Sequence, residues 1–176
     1  MIDKKTIAQV KAYARIDGAL LSLVWIASFA ITIMQPTNIF GQILTLCTPF
    51  FVGWRLIKFR NEVLDGHISF RRAYTYCFYT FIYAALIFAI VQYVYFRFLD
   101  HGRFTSMMVD TLNMLAPVYE KNGVPREQID EVSKTIMKTS PAELTFIFMV
   151  QNILVGMVVS IFIAAFGRKG VKELRS

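Results

Sequence analysis

Few side chains in this sequence stand at the spacings that catalysis or metal binding requires. His67 lies near Glu62 and Asp65, and His101 follows Asp100. Neither arrangement matches a zinc-ligand spacing, and a single histidine in a polar loop is usually solvated. No serine or cysteine is grouped with a histidine as a nucleophile with its base. We therefore expect no catalytic, cofactor-binding or metal-binding residues and no enzymatic activity.

The strongest polar side chains within the apolar runs are four amides. They are Gln42, Gln92, Gln151 and Asn152. Charged residues within a membrane span mark ion pathways and proton relays, and we expect no charge inside a span of this protein. Amides at such depth more often hydrogen-bond to a neighbouring helix than line a permeation path. We expect these four to hold helices together, and a transport site is the alternative.

The cysteines argue against a disulfide-stabilised protein, and the distribution of charge argues against a nucleic-acid-binding protein. Cys47 and Cys77 both fall within apolar runs, where isolated thiols behave as small hydrophobic residues, so no disulfide is expected. The net charge is +7. Nucleic-acid binding requires basic residues clustered on one surface, whereas these stand in blocks between apolar runs. The lipid bilayer, and not nucleic acid, is the expected partner.

The apolar runs predict an all-α integral membrane protein with four spanning helices. Ala73 to Phe96 is 24 residues without a charge, and a helix of that length extends about 36 Å, enough to cross a hydrocarbon core of about 30 Å. Gly18 to Trp54 has no charge for 37 residues and must form two spans, separated at Gln35-Pro36-Thr37-Asn38. The predicted spans are 18–34, 39–57, 73–96 and 142–166, in one membrane domain covering 1–176.

Several helix boundaries carry local signals. Residues 1–17 alternate charged and apolar residues at helical spacing and predict a short amphipathic helix on the inner membrane surface. Pro49 is expected to kink the second span, and Ser69 to cap the third. Ser140-Pro141-Ala142-Glu143 matches a capping box and marks the start of the fourth span.

Residues 97–141 predict an amphipathic helical hairpin outside the cytoplasm. Asn122-Gly123 separates its two helices, and Pro125 is expected in the first turn of the second. The first helix has the longer apolar face, so the second helix would leave part of it uncovered. The residues expected to contact a protein partner are Met107, Met108, Leu112 and Leu115. Lipid is a poorer candidate, since residues 97–143 contain 7 acidic and 6 basic side chains, whereas surface-lying helices are usually basic.

The distribution of basic residues predicts the orientation of the chain. The amino-terminal head, the inner loop 58–72 with the preceding Arg55, and the carboxyl-terminal tail contain 13 lysines and arginines, against 6 between residues 97 and 143. Cytoplasmic flanks carry the excess of such residues. We expect a multi-pass protein of the cell inner (plasma) membrane with both termini in the cytoplasm.

Two stripes of mostly small residues recur at every fourth position. The first is Gly41, Thr45, Pro49 and Gly53, and the second is Asn152, Gly156, Ser160 and Ala164. Residues at this spacing share one helix face and allow close approach of another helix. Both stripes are therefore predicted to be helix-packing surfaces, in contact with a helix of the same chain or of another.

A set of residues along the chain resembles a known family. The set is Arg60, Gly66-His67-Ile68-Ser69-Phe70, Ala73, Tyr93, Tyr95 and Asp100. Together with Gly18 near the start of the first span, it is similar over nearly the whole length to a family of uncharacterised bacterial inner-membrane proteins, the domain-of-unknown-function family 4199. The resemblance implies a four-span layout with a variable outer segment. It implies no activity.

These observations favour a non-enzymatic membrane protein over an enzyme. We expect an accessory or assembly subunit that uses its outer helical segment to contact a protein partner or a second copy. The alternative is a small oligomeric transporter or a lipid-handling membrane protein, although no charge within the apolar runs marks a route for a solute.

Overall fold

The structure is a computed structural model that describes residues 4–35 and 38–169. Seven helices account for most of this part of the chain: α1 (Lys4–Met34), α2 (Ile39–Leu46), α3 (Thr48–Val63), α4 (Phe70–Phe98), α5 (Arg103–Lys121), α6 (Arg126–Lys138) and α7 (Pro141–Gly167). No strand occurs within these residues, and the predicted all-α class is confirmed. Part of the predicted break (Pro36 and Thr37) and the tail from Gly170 onward lie outside the described residues.

Within residues 4–35 and 38–169, four helical stretches are long and apolar enough to cross a membrane. They are Thr6–Met34, Ile39–Val63, Phe70–Phe98 and Pro141–Gly167. Their number and order are those predicted from the apolar runs. Each extends beyond the predicted span, because the polar residues that flank the apolar run continue the same helix. The chain therefore has the architecture of a four-span membrane protein.

Helix α1 is one continuous element from Lys4 to Met34. The predicted separate surface helix over residues 1–17 is therefore wrong for the part that the structure describes. Asp17 and Gly18, where the head meets the first span, both lie within this helix and are buried. The head and the first span form a single rod.

The second span is interrupted near Pro49, where a kink was expected. Helix α2 ends at Leu46 and α3 begins at Thr48, with Pro49 in the first turn of α3. A proline is tolerated in a first turn because the amide hydrogen that it lacks would have no partner within the helix. The start of α2 is capped by Asn38, whose side chain accepts a hydrogen bond from the Phe40 amide at 2.9 Å.

Side-chain caps fix the starts of the last two spans. Ser69 Oγ accepts a bond from the Arg72 amide at 3.4 Å. At α7 the Ser140 amide donates to Glu143 Oε2 at 2.8 Å, while the Glu143 amide donates to Ser140 Oγ at 3.3 Å. This reciprocal pair is the predicted capping box.

The described chain forms two compact units. The first contains the residues up to Ala89 together with those from Met149 onward. Its buried residues come mainly from α1, α3, α4 and α7, and include Leu21, Leu56, Phe81 and Ala164. Trp25 packs against the ring of Phe88 at a centroid distance of 5.8 Å. Its indole nitrogen donates to Thr48 Oγ1 at 3.0 Å, so α1 is joined to α3 by a bond as well as by packing.

The second unit, Ile90–Phe148, contains α5 and α6. The two helices pack against each other through residues that include Ala116 and Ile129, which are buried. Gly123 has a φ of 87° in the turn between them, which only glycine adopts without strain. Helix α6 begins just after Pro125, one residue later than predicted. The rings of Phe96 and Phe104 lie 5.3 Å apart within the same unit.

Candidate functional site

A buried ion pair with a tyrosine is the most chemically distinctive cluster in the first unit. Asp17 in α1 is only 2% exposed. Arg55 in α3 donates from Nε to Asp17 Oδ1 at 2.6 Å, and its Nη2 pairs with the same oxygen. The hydroxyl of Tyr76 in α4 donates to Asp17 Oδ2. Three helices therefore meet at one carboxylate.

This cluster corrects the expectation that no charge lies inside a span. Asp17 falls within Thr6–Met34 and Arg55 within Ile39–Val63. Both residues stand next to an apolar run in the sequence, so a count of charges assigns them to the flanks. In the folded chain they point at each other, and their opposite charges offset the cost of burial.

The surroundings of the ion pair are aromatic. Phe59 stacks on the ring of Tyr76, with the centroids 4.7 Å apart and the planes at 5°. The ring of Tyr13 in turn packs against Phe59, with the two ring centroids 5.1 Å apart. Both carboxylate oxygens of Asp17 have donors from the chain itself. The cluster is suited to fastening α1, α3 and α4 together.

The two histidines lie in turns. His67 Nδ1 is 2.8 Å from the Asp65 carbonyl oxygen, and His101 has a φ of 50° between α4 and α5. Within the described ranges, no three His, Cys, Asp or Glu side chains come together as a metal site would require. Cys47 and Cys77 are both free.

Gly18 is a point of close approach between α1 and α4. A Cβ built on Gly18 would lie 2.7 Å from Tyr83 Cβ and 2.8 Å from the Thr80 carbonyl oxygen. Any side chain here would have to displace backbone. The glycine near the start of the first span is therefore a packing residue.

The loop after α3 is tied to the end of α7 by a group of contacts that we name the loop clasp. Ile68 and Lys169 exchange backbone hydrogen bonds of 2.9 and 3.1 Å. Arg60 Nη1 donates to the Gly167 carbonyl oxygen at 2.9 Å. Gly66, with a φ of 80°, allows the chain to reverse before Ile68. The glycine and isoleucine of Gly66-His67-Ile68-Ser69-Phe70 thus serve the clasp.

The turn between α4 and α5 is organised by Asp100, which is 3% exposed. Both of its carboxylate oxygens accept from the Phe104 amide at 3.1 Å, and Tyr95 is hydrogen-bonded to the same side chain. A carboxylate at this position accepts a hydrogen bond from an amide in the first turn of α5 that has no partner within the helix. Its negative charge also interacts favourably with the positive end of the helix dipole. Tyr95 and Asp100 together set where α5 begins.

Comparison with protein families gave a match that covers most of the chain. The family described as "Protein of unknown function (DUF4199)" matches residues 17–169. The chain belongs to this family. The matched region starts at Asp17 and ends at Lys169, so it contains the ion pair, Gly18, the loop clasp and the Asp100 turn. No curated protein and no solved structure gave a match.

The first small-residue stripe of this DUF4199 protein contacts α1 through its first two members, Gly41 and Thr45. Ser28 Oγ donates to the Gly41 carbonyl oxygen at 2.6 Å and lies 2.9 Å from Thr45 Oγ1. A Cβ on Gly41 would lie 3.1 Å from the Ser28 carbonyl oxygen. Pro49 is partly buried at the start of α3, and a Cβ on Gly53 would meet its nearest neighbour at 3.8 Å, an ordinary contact. Close helix approach therefore occurs at Gly41 and not at Gly53.

The second stripe lies on the buried side of α7 except at its first member. A Cβ on Gly156 would lie 2.5 Å from Cγ of Phe81, so this glycine accommodates an aromatic ring of α4. Ser160 is fully buried and donates to the Gly156 carbonyl oxygen at 2.6 Å. Ala164 is also fully buried, while Asn152 is partly buried. The helix that faces this stripe belongs to the same chain.

The four amides predicted to join helices behave differently from one another. Gln92 is 4% exposed, and its Oε1 has no hydrogen-bond partner in the part of the chain that the structure describes. Asn152 is partly buried, whereas Gln42 and Gln151 are exposed. Among residues 4–35 and 38–169, none of the four side chains forms a hydrogen bond. The bonds expected of these amides are therefore not made within the described chain.

The residues predicted to contact a protein partner differ in their exposure on α5. Met107 and Leu115 are 48% and 44% exposed. Met108 and Leu112 are partly buried. Met107 and Leu115 therefore contribute more to the accessible apolar surface of α5 than Met108 and Leu112 do. This surface also includes residues that the sequence pattern did not single out.

Proposed function

We propose that this protein is a non-enzymatic accessory or assembly subunit that contacts a protein partner through α5. The observation that supports this proposal is an exposed apolar stripe on that helix, formed by Met107, Met114 and Val118. These side chains are 48%, 73% and 56% exposed. The spacing of seven and four residues places them on one helix face.

This stripe lies on the side of α5 that α6 does not cover. Ala116, which is buried, stands two residues from Met114 and Val118 and so points away from them. Helix α6 packs on the side of α5 that carries Ala116. It also has exposed apolar side chains of its own at Val132 and Met137. An apolar surface that is left after the two helices have packed is a feature of interaction sites.

The composition of this segment favours protein over lipid as the occupant. Lipid-bound surface helices place lysine and arginine along the polar face, whereas residues 97–143 contain 7 acidic and 6 basic side chains. Methionine is flexible and polarizable, so it adapts to the surface of a partner. Two of the three stripe residues are methionine.

Replacing Met114 and Val118 together by lysine tests the proposal. Both side chains point away from α6, so the variant is expected to fold and insert normally. A partner that copurifies in stoichiometric amounts with the parent protein is expected to be recovered about tenfold less, because two charges would have to be buried at the contact. The measurement is quantitative mass spectrometry of the material purified in mild detergent.

The matched control is Gln128→Lys with Thr135→Lys, which adds the same charge at exposed polar positions on α6. The control is expected to retain the partner. Equal recovery from the two variants, or the absence of any stoichiometric protein from the parent, would contradict the proposal. Bound lipid or solute in a purely homo-oligomeric parent would favour the transporter or lipid-handling alternative.

We further propose that both termini are cytoplasmic, in the inner (plasma) membrane, with α5 and α6 on the opposite side. The support is the excess of basic residues in the head, inner loop and tail, 13 against 6 between residues 97 and 143. Reporters that are active only outside the cytoplasm would be fused at Asn122 and after Ser176. We expect activity at Asn122 and none after Ser176, and the reverse pattern would refute this orientation.

A further inference from the structure

Gln151 is an exposed amide near the middle of α7, which is long and apolar enough to cross a membrane. Helix α7 covers Pro141–Gly167, so its midpoint is residue 154. At about 1.5 Å per residue, Gln151 lies roughly 5 Å from the midpoint of the helix. Its side chain is exposed and has no hydrogen bond within the part of the chain that the structure describes. An amide that faces hydrocarbon without a partner is costly.

The neighbours of Gln151 form an exposed seam along α7. The seam consists of Gln151, Leu154, Val158, Ile161 and Ala165, at alternating spacings of three and four residues, and all are exposed. This repeat is that of two helices that cross at a small angle and interlock side chains. It is also the geometry of most helix pairs in membranes.

The seam is separate from the face that α7 uses within its own unit. Gly156, Ser160 and Ala164 are buried, and Gly156 packs against Phe81 of α4. These residues lie on the opposite side of the helix from Val158. Helix α7 therefore has one face that is already occupied and one that carries an unsatisfied polar group.

We propose that the seam joins two copies of this chain through a symmetric contact at Gln151. An amide carries both a donor and an acceptor, so two glutamines facing each other across a two-fold axis can satisfy one another. Every other member of the seam is apolar and uncharged, so a second copy meets no like charge. A single polar residue within an apolar seam also fixes the register of the two helices.

Lipid accounts less well for the same surface. Hydrocarbon covers the leucine, valine and isoleucine of the seam, but it offers no group that bonds the amide. Gln42 provides the contrast within this chain. It is also exposed in a span, but it lies three residues from the start of α2, where the interface supplies water and polar lipid groups. Of these two exposed amides, Gln151 therefore requires a partner at depth and Gln42 does not.

The first test measures the dimerisation of the full chain in mild detergent. Copies labelled at the amino terminus with donor and acceptor dyes would be mixed over a range of protein-to-detergent ratios. Gln151→Leu is expected to raise the dissociation constant of the dimer about tenfold, because it removes two reciprocal hydrogen bonds from a site that excludes water. Gln42→Leu makes the same replacement near the interface and is expected to leave the dissociation constant unchanged.

A second test maps the contact by disulfide cross-linking in membranes. Cys47 is exposed and would first be replaced by serine, while Cys77 is buried and would remain. Val158→Cys, in the middle of the seam, is expected to give a cross-linked dimer. Met157→Cys and Phe166→Cys stand at the two edges of the exposed face of α7 and are expected to give little.

Three results would each overturn the proposal. They are a parent protein that stays monomeric at every ratio, equal effects of Gln151→Leu and Gln42→Leu, and cross-linking at Met157 or Phe166 as strong as at Val158. The leucine variants keep the seam apolar, so they do not depend on a buried site that might fail to fold. Loss of a heterologous partner in the Met114 and Val118 variant leaves these results unaffected, because α5 contains no residue of the seam.

Discussion

Replacing Asp17 by leucine is expected to lower the free energy of unfolding by about 3–5 kcal/mol, the usual cost of leaving one member of a buried ion pair without its partner. Arg55 would keep its charge in a site where it is only 17% exposed, with its acceptor removed. Tyr76, which is fully buried, would lose the acceptor of its hydroxyl as well. In a chain of this length we expect the melting temperature in detergent to fall by about 10 °C.

A double-mutant cycle separates the ion pair from simple packing. Arg55→Leu alone is expected to cost a similar amount, because it leaves the Asp17 carboxylate buried and unpaired. Asp17→Leu combined with Arg55→Leu is expected to recover at least half of the loss, since no charge then remains in the core. Thermal unfolding of all four proteins measures the coupling. Strictly additive losses would show that the two side chains do not act as a pair.

Replacing Gly18 by alanine is expected to destabilise the protein by about 1–3 kcal/mol, the usual cost of adding a group to a closely packed contact. The added methyl group would stand 2.7 Å from Tyr83 Cβ and 2.8 Å from the Thr80 carbonyl oxygen, so α1 and α4 must separate. The direction of the change in stability is what distinguishes a tight contact from an open position. In an open helix position, glycine to alanine gains up to about 1 kcal/mol.

Gly53→Ala supplies the matched control, because it makes the same change in α3 where the nearest atom would be 3.8 Å away. It is expected to be neutral or slightly stabilising. The two variants would be compared by thermal unfolding in the same detergent. If both change stability in the same direction by the same amount, the contact at Gly18 is not the tight one that the geometry gives.

The number of spans and two of their starts follow from local features of the sequence, and for this reason they were predictable. An uncharged run of 37 residues is too long for one span, whatever surrounds it. The bonds between Ser140 and Glu143 join residues three apart, so the pattern of letters contains the whole motif. Neither conclusion requires knowledge of which helices are neighbours.

The ion pair could not be predicted in the same way, because it depends on the rotation of two helices. Asp17 and Arg55 are 38 residues apart, and each stands at the edge of an apolar run. A charge at such a position can face water or the core, and only the packing of α1 against α3 decides between them. The exposed stripe of α5 depends similarly on which side α6 covers. The helical periodicity of the sequence therefore identified the apolar residues of α5, but it did not predict that Met114 is exposed while Leu112 is partly buried.

The loop clasp bears on the order in which the protein is made. Arg60 and Gly167 are 107 residues apart, so this bond cannot form until almost the entire chain has left the ribosome. The ion pair, by contrast, needs only the first third of the chain. The first two spans can therefore associate during synthesis, while the closing contact waits for the last helix. A chain truncated before α7 would keep both residues of the ion pair but would lack the partners of the loop clasp.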